Sequence, residues 1–258
     1  MQNQFDPRMR TSGYDPAVSV GVPRAARDAG LRSYMLSVYN YMASGVLLTG
    51  IVALLFARSP LFESMFNVVQ TSQGTAIRPS LLGWVITIAP LAFVLIMSFG
   101  QMRMRASTLQ AMFWGFAVVM GLSLSTIFIA YTGVSIAQTF FATAAAFGAL
   151  SLWGYTTQKD LSGWGTFLIM GVVGIIVASL INVLFLRSVG LDLAISAIGV
   201  LIFAGLTAYD TQKIKSIYFQ VAGYGEVMAK TAIMGALNLY LDFINMFLFL
   251  LRFMGDRR

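Results

Sequence analysis

The chain contains no cysteine and no histidine. The first absence excludes disulfides, thiolate nucleophiles and Cys-ligated zinc or iron–sulfur centres. The second removes the commonest general base, the commonest transition-metal ligand and the side chain that ordinarily titrates near neutral pH. Charge is scarce as well. Only 10% of the 258 residues are charged and 58% are hydrophobic, whereas a soluble domain carries about a quarter charged residues. Water is therefore not the main solvent of this chain.

What is present is a succession of apolar stretches, each near the roughly 20 residues needed to cross about 30 Å of hydrocarbon. Apolar runs between charged or Gly/Ser-rich breaks predict spans at 34–57, 81–100, 109–131, 136–156, 164–187, 191–210 and 229–252. The expected fold is an all-α integral membrane protein, a seven-transmembrane-helix bundle over residues 34–252, with a short C-terminal tail at 253–258. Residues 1–33 are polar and broken by Pro7, Gly13, Pro16, Gly21 and Pro23, and read as a disordered tail. Some thirty residues ahead of the first span do not fit a cleavable signal peptide, so that span reads as a signal anchor. The longest loop is 58–80, and the short links after spans three and five imply antiparallel hairpins. Small residues at close-packing intervals, Ala144 with Gly148 and the region Gly171–Gly174, read as helix contacts. No internal repeat is evident, which speaks against a transporter built from inverted halves.

The formal net charge is +7, but the basic residues lie between apolar segments and form no basic helix, so nucleic acid is not an expected partner. Topology accounts for them. With the N-terminus in the cytoplasm, that side receives Arg8, Arg10, Arg24, Arg27, Arg32, Arg103, Arg105, Lys159, Lys213, Lys215 and Lys230, against Arg58, Arg78 and Arg187 opposite. Seven full spans place Arg252, Arg257 and Arg258 on the far side, against the rule, and a re-entrant last segment would keep them inside. Seven spans is the reading adopted.

Eight of the ten acidic residues lie in tails, loops or span edges. Asp210 and Asp242 do not. A carboxylate at helix centre is unfavourable by about 2.5–3.5 kcal/mol on insertion scales, so such residues face a bundle interior and mark a pathway or switch. Asn238, Asp242 and Asn245 fall at i, i+4 and i+7, a polar stripe that makes the last helix central. The alternative is that these side chains only bond neighbouring helices. Asp210 closes its predicted span beside Tyr209, with Lys213 three residues on as an interfacial ion-pair partner in the simpler reading. Taken with the predicted span ends, the two aspartates differ in depth, and spacing does not pair them.

The stretch Phe203-Ala204-Gly205-Leu206-Thr207-Ala208-Tyr209-Asp210-Thr211-Gln212-Lys213-Ile214-Lys215 resembles the signature of the transmembrane Bax-inhibitor-motif family. Leu239-Tyr240-Leu241-Asp242-Phe243-Ile244-Asn245 and the segment from Phe147 to Thr157 reinforce it. The resemblance implies a seven-helix fold around the last helix, and a calcium-leak activity closed by a pH-sensing aspartate pair. By that analogy the pair is Asp210 with Asp242, which would also be the calcium ligands. An arginine following the second helix, Arg103 or Arg105, would hold the closed pair. Asn238, Asn245 and Tyr209 would support it. Residues 81–100 contain no acid, so a glutamate that some relatives carry there has no counterpart. Calcium prefers six to eight hard oxygen ligands, so two carboxylates with amides, carbonyls and water would make a weak, passable site. Two close carboxyls would also share a proton.

On this reading the protein is not an enzyme and needs no cofactor. Calcium is its permeant ligand, and its place is the bacterial inner membrane. An intramembrane aspartyl protease shares the Tyr209-Asp210 pair, but Leu239-Tyr240-Leu241-Asp242 is not Gly-x-Gly-Asp, and no proline follows Pro90. The absence of histidine excludes a rhomboid-type protease. The competing function is a non-conducting regulator of a membrane-bound quality-control protease, with the basic tail as its handle.

Overall fold

The computed structural model describes residues 24–71 and 74–258. Its helices are α1 (Arg24–Ala57), α2 (Leu81–Gly100), α3 (Ala106–Leu124), the single turn α4 (Ile127–Ala130), α5 (Gly133–Thr156), α6 (Ser162–Ile181), α7 (Val189–Val221) and α8 (Gly225–Met254). Among the described residues, seven helices are long and apolar enough to cross a membrane. The protein is a seven-helix integral membrane bundle. Helix starts follow local chemistry: Ser80, Thr132 and Ser188 accept the N–H of Gly83, Ser135 and Leu191, covering backbone donors that the helix leaves open.

α8 is the axis of the bundle. It packs against α7, α1, α5 and α3, and it is far more buried than any other span. Leu239, Tyr240, Met246 and Leu251 on it are almost wholly enclosed. The outer helices present Leu55, Phe141, Phe167 and Leu201 outward, as a surface facing lipid tails requires.

Four local expectations are corrected. α1 begins at Arg24, so residues 24–33 are helical; the disorder expected of the tail otherwise falls on residues 1–23, outside the described ones. The loop 58–80 contains a 3-10 turn (Pro60–Met65) and an antiparallel hairpin of β1 (Phe66–Thr71) and β2 (Gly74–Pro79), in register Phe66 with Pro79. α7 runs eleven residues past Asp210, so the charges of Lys213 and Lys215 do not end it. Ala144 and Gly148 face outward, and a Cβ on Gly148 would meet nothing. The close approach on α5 is at Gly154, where a Cβ would strike the Ala208 carbonyl of α7, while Gly171 abuts Ile202.

One end of the bundle gathers the start of α1, the 157–161 loop and the α7–α8 turn; the other gathers the link after α3, the start of α7 and the C-terminus. α8 is continuous through thirty residues, and its tail is fixed at the second end. Asp256 N–H donates to Ser135 Oγ at 2.9 Å, Arg258 N–H to the Ala130 carbonyl at 3.0 Å, and Arg252 and Arg257 pair with Asp192 at 3.5 and 3.3 Å. Two of the three arginines that conflict with the charge rule are thus matched by one acid.

Candidate functional site: a carboxyl pair between α7 and α8

α7 and α8 form an antiparallel pair joined by a short turn at Ala222–Tyr224. Ile214 packs on Gly235 at one level. About three to four turns further from the turn, Phe203 stacks on Phe249 with ring centroids 5.8 Å apart, and the Phe249 ring also covers Gly199. Phe203 and Asp210 are seven residues apart on α7, as are Asp242 and Phe249 on α8. Seven residues are close to two helical turns, so the same seam brings Asp210 to Asp242.

The two carboxyls lie opposite each other across this seam. Asp242 is 5% exposed, and its Oδ2 has no hydrogen-bond partner among the described residues. Asp210 is half-buried. Eleven residues separate it from the end of α7, about 17 Å at 1.5 Å per residue. The depth difference expected from the sequence came from ending its span too early. The interfacial ion pair with Lys213 is also not formed: Lys213 Nζ lies over the Tyr209 ring, 5.8 Å from its centroid. Ion pairs among the described residues involve only Glu226 and Asp192 as acids.

Consecutive residues around Asp210 reach different neighbours, because each advances the direction by about 100° on a helix surrounded by others. Tyr209 lies against Gly165 of α6. Thr211 hydrogen-bonds Ser151 of α5 at 2.9 Å, and Ser151 in turn bonds Tyr39 of α1 at 2.6 Å. Gln212 accepts the Leu161 N–H and donates to the Lys159 carbonyl, both at 2.8 Å, holding the α5–α6 loop. Lys215 donates to the Tyr155 carbonyl at 2.7 Å. Beyond the pair, the buried Tyr240 hydroxyl meets Thr49 of α1 at 2.7 Å, and Thr49 donates to the Ala117 carbonyl of α3 at 2.7 Å.

The other residues singled out from the sequence are placed unevenly. Asn245 donates to the Leu241 carbonyl of its own helix at 2.8 Å, and Asn238, about two turns earlier, is half-buried. Neither bonds the pair. Arg103 and Arg105 are exposed in the link between α2 and α3 and form no ion pair with an acid among the described residues. They sit at the end of the bundle, whereas the pair lies well inside it. The roles of Ser151, Thr211, Gln212 and Thr49 were not assigned from the sequence. A signal existed on α5, where the buried Ser135, Thr139, Thr143 and Ser151 repeat at multiples of four residues.

Among the described residues, no cluster of three or more acidic, His or Cys side chains is present. Among the described residues, acidic charge at the site is therefore limited to two carboxyls, with the Lys213 ammonium three residues from Asp210. Such a pair can share a proton, or, when ionised, offer oxygens to a hard cation whose remaining positions water would fill.

Comparison with known proteins agrees with this architecture. The chain is 46% identical to the inner membrane protein YbhL of Escherichia coli K12 over 231 residues, 89% of this chain and 94% of the relative. It is 50% identical to the uncharacterized protein RP147 of Rickettsia prowazekii over 90% of this chain and 92% of that one. An uncharacterized protein of Caulobacter vibrioides is 44% identical over 95% and 97%. The family model described as "Inhibitor of apoptosis-promoting Bax1" matches residues 31–258, and with the α7–α8 seam carrying the motif residues, the chain belongs to the Bax inhibitor family.

Proposed function

We propose that this protein is a pH-sensitive calcium-leak channel gated by Asp210 and Asp242. The observation that carries the reading is the pair itself: two carboxyls opposite each other deep in a membrane bundle, one with an oxygen that no group among the described residues satisfies. A buried polar atom left unpaired costs about 1–3 kcal/mol, and in a structural role a neighbouring amide or hydroxyl would normally cover it. A proton or a cation covers it instead. One proton between the carboxyls gives a hydrogen bond; without it, two anions repel and form an oxygen-rich site for a divalent cation. Change in proton occupancy thus changes both the contact between α7 and α8 and the charge on the path. The hydroxyls of Ser135, Thr139, Thr143 and Thr207 on the buried faces of α5 and α7 are compatible weak ligands.

The location we infer is the inner membrane with the N-terminus in the cytoplasm. The relative named for that membrane and the basic residues at the end holding Arg103, Arg105 and Lys159 support it. The test is calcium flux from liposomes holding the purified protein alone, followed across pH. A pH-dependent flux is the expected result. No flux at any pH would end the channel reading and favour the non-conducting regulator of a membrane protease.

A further inference from the structure

α1 and α5 hardly meet. The hydrogen bond from Tyr39 to Ser151 bridges them, and towards the start of α1 a cleft of about 440 Å³ opens between the two helices. Its walls are Met35, Leu36, Phe147 and Leu152, with Gly148 leaving room on the α5 side. These positions lie within the membrane-spanning stretches of α1 and α5, so hydrocarbon is the medium that fills the cleft. No protein element covers it among the described residues.

Its mouth has a different chemistry. Arg32 lines the cleft at the end where α1 enters the bilayer, is exposed, and has no ion-pair partner among the described residues, although Asp28 lies one turn before it on the same helix. Tyr155 lines the same end, and Lys215 Nζ sits on its carbonyl at 2.7 Å and 5.0 Å from its ring centroid. An ammonium carries three donors, so Lys215 retains further protons for a ligand. A greasy slot lined at its mouth by Arg32, with a second cation, Lys215, held on the lining residue Tyr155, matches an amphiphile with an anionic head.

We propose that the α1–α5 cleft binds an anionic phospholipid, with one acyl chain between Met35 and Leu152 and the phosphate held by Arg32 and Lys215. The choice of an anionic lipid rests on charge complementarity at the mouth, since basic residues next to a bilayer favour such headgroups. The floor of the cleft gives the site a consequence. Tyr39–Ser151–Thr211 is a continuous chain of hydroxyls, and Thr211 follows Asp210 directly, so an acyl chain in the slot lies against a polar link from α1 to the α7 motif.

The experiment uses the full chain in nanodiscs of phosphatidylglycerol mixed with phosphatidylcholine, followed by extraction and native mass spectrometry of retained lipid. Wild type is expected to retain phosphatidylglycerol over phosphatidylcholine. Arg32→Gln should lower that preference about fivefold, as loss of one basic contact at an anionic surface implies. Gly148→Leu, which projects into open space and not into protein, should reduce retention of both lipids by filling the slot. Equal retention of the two lipids by wild type, or undiminished phosphatidylglycerol binding in either variant, overturns the proposal.

Discussion

Asp192, in the first turn of α7, holds Arg252 of α8 at 3.5 Å and reaches Arg257 of the tail at 3.3 Å. An acid at a helix N-terminus is well placed for this, since the dipole favours negative charge there. The contact ties the end of the last span to the start of α7, on the far side from the α7–α8 turn. Single cysteines at residues 224 and 258, free of background because the chain has none, should therefore label from opposite membrane faces. Labelling from one face would show that the last segment turns back. Asp192→Asn should leave thermal stability within about 1 kcal/mol, as partly exposed pairs do, while speeding proteolysis of the tail.

Two glycines on α5 should behave oppositely. A Cβ at Gly154 runs into the Ala208 backbone, and one at Gly148 meets nothing. Gly154→Ala is expected to destabilise the bundle by about 1–3 kcal/mol, the usual range for overpacking. Gly148→Ala should be neutral or slightly stabilising, because alanine favours helix over glycine by about 1 kcal/mol. Melting of both variants in the same detergent is the measurement; equal shifts would mean that the α5–α7 contact is not at Gly154.

These glycines mark the limit of what the sequence conveys. Hydropathy locates a span because burial in lipid demands twenty apolar residues whatever their neighbours are. It does not say which face of a uniformly greasy helix meets protein, so the Ala144–Gly148 spacing suggested a contact that lies at Gly154. The same blindness affected the end of α7. Lys213 and Lys215 stopped the apolar run, yet the helix continues because Thr211, Gln212 and Lys215 find partners on α5 and the α5–α6 loop. Only that continuation puts Asp210 level with Asp242. The two aspartates were legible as rare charges, but spacing did not pair them; only the family resemblance did.

Gln212 bridges α7 to the 159–161 loop through one accepted and one donated hydrogen bond, both at 2.8 Å. Gln212→Ala should cost about 1–2 kcal/mol, given net values near 1 kcal/mol for each bond. Amide exchange at Leu161 should quicken in the variant. Unchanged protection there would remove the loop-holding role.

Asp160 lies in that loop, outside the spans, and accepts the Ser162 N–H at 2.9 Å at the start of α6. Hydrogen bonds from Ser162 hold its carboxyl below the ordinary value. The sign follows: the contact contributes fully above about pH 3.9, where the free carboxyl is ionised, and fades as pH falls through the lowered folded value. Exchange of the Ser162 amide should accelerate on that acid side in wild type and be fast and pH-insensitive, after correction for intrinsic rates, in Asp160→Ala.

The Asp210–Asp242 seam yields the functional prediction. If the two carboxyls titrate as a unit, each alone loses its meaning when the other is replaced. Calcium flux in liposomes should vary with pH in wild type and become flat in Asp242→Asn, whose amide donates to Asp210 at every pH. Asp210→Asn should be flat for the same reason. The double variant should add little to either single change, since residues sharing one interaction are non-additive. Because no histidine is present, any residual pH dependence in the double variant would have to come from titratable groups outside the seam. Additive effects of the two substitutions would dissolve the pair as a gating unit. Flux with unaltered pH dependence in both single variants would return the aspartates to helix-to-helix bonding, and the opposed positions of Phe203 and Phe249, stacked two turns away, would then be explained by packing alone.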